Sequence, residues 1–237
     1  MAARAERWFF GVMAALVAVT VFVGFSRTFY LAAWLEAPPG LQPMTPLVLL
    51  HGLLFSGWIA LLLGQTGLVA AGRTDIHRRL GAATAGVAVL MVIVGTMTAV
   101  YALARGSTPP GIEPRRFLAV PLFDMVVFGA LVFAGIRKRR DPPTHKRLML
   151  LATIAILSAA IARWPLAFLK AGPPAFFGIN DLYLLPLVGF DLATRGRVHR
   201  ATLAGGLLIV ISQPLRLLVS GTEPWLRFAD LAASLAR

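Results

Sequence analysis

Residues 80–103 read LGAATAGVAVLMVIVGTMTAVYAL, a run without one charged side chain, and the stretch before it, Arg73 to Arg79, carries three arginines and a histidine. Wound as a helix at ~1.5 Å per residue, such a run is long enough to cross a hydrocarbon layer of about 30 Å. A helix is the economical way to do so, because lipid offers backbone N–H and C=O groups no partners. The basic lead-in then marks a membrane surface, where arginine meets lipid headgroups.

The same pattern recurs in both directions from this run. Further spans are expected at about 8–30, 46–71, 117–136, 148–168, 175–193 and 202–218, which makes the chain an all-α, polytopic transmembrane bundle of about seven helices. Whole-chain composition agrees, with 237 residues, 58% hydrophobic, 14% charged and a mean hydropathy of +0.77. The linkers are too short to hold a domain, so 1–237 reads as a single transmembrane helical domain. Arg4 and Arg7 ahead of Trp8–Phe25 imitate a signal peptide. The apolar run is longer than a signal core and lacks a small-x-small cleavage site, so it is read as a retained first helix.

Local signals divide the spans. Pro38-Pro39-Gly40 and Pro109-Pro110-Gly111 form turns, and Thr45 caps the second helix with Pro46 at its first position. Gly178, Pro186 and Gly189 predict a bent or broken sixth span, Pro214 an interruption in the seventh, and the residues from Thr222 a short amphipathic tail. Of the 23 Lys and Arg residues, fourteen fall on the side of the N-terminus, at Arg4, Arg7, Arg73, Arg78, Arg79, Arg137–Arg140, Lys146, Arg147, Arg195, Arg197 and Arg200. That bias predicts a cytoplasmic N-terminus, an outside C-terminus and residence in a bacterial inner membrane.

A net charge of +13 invites nucleic-acid binding, but the aromatics lie inside apolar runs and not among the basic residues, which removes that reading. The absence of cysteine removes disulfides, thiolate metal sites and cysteine nucleophiles. No phosphate loop, nucleophile elbow or His-Glu-x-x-His helix occurs, so hydrolytic and nucleotide-driven chemistry has no visible equipment.

Depth along each span singles out a second group of residues. Arg27, His51, Asp124, Arg163, Asp181 and Arg216 all fall in the outer third of their helices. Each charge in lipid costs at least ~2.5 kcal/mol, so six at one level are expected to face one another across a cavity. Three arginines against two aspartates leave a net-positive site suited to a small anionic ligand or a lipid headgroup, with Asn180 and Gln213 adding neutral hydrogen bonds. The competing expectation is structural: Arg27 and Arg216 snorkel to the interface, and Arg163 pairs with Asp124 or Asp181. The arginines disfavour a cation, so no metal is assigned. In the second helix His51, Phe55, Trp58, Leu62 and Gln65 form one stripe, beside a small-residue stripe of Gly52, Ser56, Ala60 and Gly64 spaced for close helix contact.

His77, His145 and His199 share a depth at the cytoplasmic edge. Two imidazoles at one level on facing helices are the requirement for a b-type haem, so these three are cofactor-binding candidates; the alternative is that each caps a helix or meets lipid headgroups. His77-Arg78-Arg79-Leu80-Gly81 resembles the helix openings of transmembrane b-type cytochromes of the ascorbate-dependent ferric reductase kind. That family carries a second histidine pair toward the opposite face, where this chain has only His51, so the resemblance implies at most one haem. Over most of its length, in Ser26–Tyr30, Gln65–Gly81 and His145–Pro165, the chain resembles an uncharacterised family of small bacterial seven-helix membrane proteins, which implies the fold and no activity. A third expectation is an accessory subunit of a larger membrane complex, its small-residue faces packed on membrane-protein partners.

Overall fold

A computed structural model describes residues 2–109 and 111–236, so Pro110 of the second turn lies outside the described residues. Among them the chain is entirely helical. Seven helices are long and apolar enough to cross a membrane: α1 (Ala5–Tyr30), α2 (Pro46–Ala70), α3 (Thr74–Ala104), α4 (Pro114–Arg137), α5 (Pro142–Ile161), α6 (Pro173–Arg195) and α7 (Arg200–Ser220). A last helix, α8 (Glu223–Leu235), packs on α3 and the start of α4. These spans make the protein a multi-pass membrane protein.

Helix starts follow the chemistry of their first residues. Thr45 accepts a hydrogen bond from the Val48 N–H at 3.5 Å with Pro46 behind it. Asp141 caps α5, accepting from the Thr144 N–H at 3.4 Å, and Thr144 holds its carboxyl below the usual range. His199 caps α7 through its ring, with the Ala201 N–H donating to Nδ1 at 3.1 Å. α5 therefore starts at Pro142, ahead of the sequence estimate of 148.

Three interruptions fall inside spans. α1 changes to a π-turn over Ser26–Tyr30, closed by the Leu31 N–H donating to the Ser26 carbonyl at 2.7 Å. Nothing in the sequence announces it. α5 loosens at Ile156–Leu157 and ends at Ile161, not near 168, because Pro165 disfavours helical backbone just ahead of it. Arg163 thus lies beyond the helix rather than in its last third. α6 breaks at Tyr183, between Pro173–Leu182 and Leu184–Arg195. Pro214 does not interrupt α7, which runs continuously from Arg200 to Ser220. Proline removes only the N–H that would reach the Val210 carbonyl, a loss that a transmembrane helix tolerates.

α5 is the most enclosed span and touches α1, α4, α6 and α7; α2 is the most exposed. The core is keyed by Trp58, whose ring meets Phe128 edge-on at 5.0 Å and whose indole N–H donates to the Thr153 hydroxyl at 3.1 Å. α1 and α5 approach so closely at Gly24 that a Cβ there would overlap the Ala160 backbone carbonyl. The small-residue stripe of α2 divides. Gly52 lies under the Phe29 ring and the Ser56 hydroxyl bonds the Tyr30 hydroxyl at 2.8 Å, whereas Gly64 has open space around it.

Candidate functional site

The loops rich in Lys and Arg gather at one end of the bundle, here the basic end, and the outer-third candidates lie toward the other. Contacts among the described residues group three of those six candidates together and give the other three different partners.

Asp124 of α4 and Arg216 of α7 form a buried ion pair, 5% and 2% exposed. Arg216 is further held by the carbonyls of Ser212 and Val120, each at 3.2 Å, by the Ser212 hydroxyl at 2.8 Å, and by the faces of Phe177 and Phe123. Asp181 joins through the neighbouring turn of α7, accepting from the Gln213 amide at 2.7 Å. The acids of α4 and α6 thus both dock on α7, and Arg216 is consumed by Asp124 instead of snorkelling.

Arg27, His51 and Arg163 lie apart from that cluster, around the ends of α1, α2 and α5. Arg27 is exposed and donates to the Glu36 carbonyl at 2.9 Å. Arg163 lies over the Phe25 ring at 4.7 Å and donates to the Ala159 carbonyl at 2.6 Å. It therefore pairs with neither aspartate. The His51 ring stacks on Phe55 at 4.0 Å, and its Nδ1 is buried with no protein partner.

At the basic end His77 and His145 come together. Their ring centres are 6.3 Å apart with the planes at 75°. His145 Nδ1–H donates to the Gly135 carbonyl at 2.8 Å, a bond that orients the ring and leaves Nε2 as the nitrogen without a protein partner. His77 Nδ1 is buried without a protein partner, as is Gln65 Oε1 near the end of α2. Gly81, one turn beyond His77, has open space where a side chain would stand. His199 is instead occupied as the α7 cap.

Sequence reasoning missed the most enclosed ion pair in the protein. Arg147 and Asp191 are both 0% exposed, and Asp191 accepts from the guanidinium, from the His199 N–H at 3.0 Å and from the Thr202 hydroxyl at 2.5 Å. Position alone made Arg147 look like one more basic loop residue. The usable signal was Asp191, an acid inside the otherwise apolar end of α6, which requires a partner.

No family model, curated protein or solved structure matches the chain. The chemistry therefore rests on these residues.

Proposed function

We propose that the protein is a membrane redox protein that holds one b-type haem between His77 and His145, in a bacterial inner membrane with its basic end in the cytoplasm. The observation that carries this is the spacing of the two rings. A haem held by two imidazoles would set their ring centres about 6 Å apart, with His77 and His145 as the residues that would hold it. The two ring centres, 6.3 Å apart, lie at that order of separation.

The donor set favours a porphyrin over a bare ion. Among the described residues no three His, Asp or Glu side chains converge, so an ion would find two protein ligands where it needs four or more. A porphyrin brings four nitrogens of its own and needs only two. The Gly135 carbonyl orients His145 as a metal-binding histidine requires. Arg78, Arg79, Arg137 and Lys138 stand beside these elements in sequence and supply positive charge for a cofactor with two carboxylates. Haem would contribute one-electron exchange; the protein would fix the two imidazoles and bias the site electrostatically toward anionic groups.

The test is an absorption spectrum of protein purified from haem-supplied cells. A Soret band with one haem per chain is expected, abolished in His77→Ala and in His145→Ala and kept in His199→Ala. A wild-type sample without a Soret band, or full haem content in both single variants, would overturn the proposal.

A further inference from the structure

We propose that Arg163, His51 and Thr28 form a second site, at the end of the bundle away from the basic loops, that takes the carboxylate of an amphiphilic anion such as a fatty acid.

Several contacts draw these residues together. The close approach of Gly24 to Ala160 fixes α1 against α5, and just beyond it Arg163 rests on Phe25. On the other side Phe29 packs over Gly52, the neighbour of His51. Thr28 lies between Phe25 and Phe29, inside the π-turn that separates those two contacts. Arg163 on Phe25 and His51 beside Gly52 thus flank the π-turn through its two bordering phenylalanines. π-turns within helices concentrate at functional positions, where the extra residue re-aims side chains.

The chemistry of the set is one-sided. Thr28 Oγ1 and His51 Nδ1 are both buried without a protein partner, and a buried polar atom left unpaired costs ~1–3 kcal/mol. Arg163 has given one N–H to Ala159 and meets no acid among the described residues. Hydroxyl, imidazole and guanidinium can all donate, and the aspartates that could have received them are engaged elsewhere, Asp124 by Arg216 and Asp181 by Gln213. An acceptor from outside the chain completes the set, and a carboxylate is the one that neutralises Arg163. Phe25, Phe29 and Phe55 beside these donors suit an apolar body attached to that carboxylate.

The probe is radiolabelled oleate, titrated against the purified protein in nanodiscs. Saturable binding of one oleate per chain is expected, weakened at least ~10-fold in Arg163→Ala and Thr28→Val and unchanged in Arg105→Ala, another cation without an acidic partner. Oleyl alcohol, with the same chain and no charge, should not compete. Displacement by millimolar acetate would mark a small soluble carboxylate as the natural occupant of the same site; resistance to acetate would mark the fatty acid. To separate binding loss from misfolding, oleate should raise the melting temperature of the wild type and of Arg163→Lys but not of Arg163→Ala. Unsaturable uptake, or equal affinity in Arg163→Ala and Arg105→Ala, would overturn the proposal.

Discussion

Asp191→Asn removes one charge and almost no volume, from a carboxylate that receives Arg147 Nε at 2.9 Å, a second guanidinium bond, the His199 N–H and the Thr202 hydroxyl. The amide keeps a single acceptor oxygen and leaves the Arg147 charge without a counter-ion at 0% exposure. Breaking one side of a buried pair costs ~3–5 kcal/mol. At roughly 2–4 °C per kcal/mol for a chain of this size, the melting temperature should fall on the order of 10 °C. Glu223→Gln provides the contrast, because its Arg227 partner is 78% exposed and such pairs contribute little, so no measurable shift is expected. Replacing both ions, Arg147→Met with Asp191→Leu, should be more stable than either single change, since neither charge is then stranded. Tryptophan fluorescence on heating in one fixed nanodisc preparation reads all five variants, and haem content should fall with Asp191→Asn, because Arg147 lies two residues from His145. A melting temperature for Asp191→Asn within about 2 °C of wild type, or a double variant less stable than either of its singles, would refute the reasoning.

Gly24→Leu forces α1 and α5 apart where a side chain meets backbone that cannot yield, and a loss above the ~1–3 kcal/mol of ordinary overpacking is expected by the same melting assay. Trp58→Phe keeps an aromatic ring against Phe128 but removes the indole bond to Thr153, whose hydroxyl retains its bond to the Met149 carbonyl at 3.1 Å, for an expected loss of about 1 kcal/mol. Burial, with Arg147 and Arg195 nearby, holds the His199 ring below its ordinary pKa, so the folded state binds the proton more weakly than the unfolded chain. That contribution to stability is complete above about pH 6.5 and is lost as pH falls through the folded-state pKa, when a protonated Nδ1 ceases to accept from Ala201. His199→Asn retains a capping side chain and should flatten this part of the stability-pH profile; an unchanged slope would place the titration elsewhere.

What could be read from the sequence was position along the membrane normal, and what could not was direction around each helix. Span existence follows from the length of apolar run that lipid demands, and depth from ~1.5 Å per residue, so His77 and His145 could be put at one level before their rings were seen to meet. Azimuth is weaker. A span surrounded by lipid and protein is apolar on every side, and its sequence gives little periodicity to say which face looks inward. That is why Arg216 and Arg163, similar in depth, have opposite fates: one turns into the bundle onto Asp124, the other lies on Phe25. Arg147 was obscured differently, because a count of basic residues treats a buried guanidinium and a loop guanidinium alike. The π-turn left no trace, since Ser26–Tyr30 has no glycine or proline to mark it.

The distribution of acids connects these observations. Inside the spans the buried or half-buried carboxylates are each engaged, Asp191 by Arg147, Asp124 by Arg216 and Asp181 by Gln213. Among the described residues, buried side-chain atoms without a protein partner remain at the basic end, on His77 and Gln65, and around the π-turn, on Thr28 and His51, with Ser158 and Asn180 apart from both. Along α2, His51 and Gln65 are separated by roughly 20 Å of helix, and the His77–His145 pair lies toward the Gln65 end. Sites so far apart, with no shared ligand, should respond independently. His51→Ala should leave the haem spectrum unaltered while weakening oleate binding, and His145→Ala should do the reverse. A variant that disturbed both readouts without lowering the melting temperature would join the two ends into one device and would require a conformational link through α2 or α5.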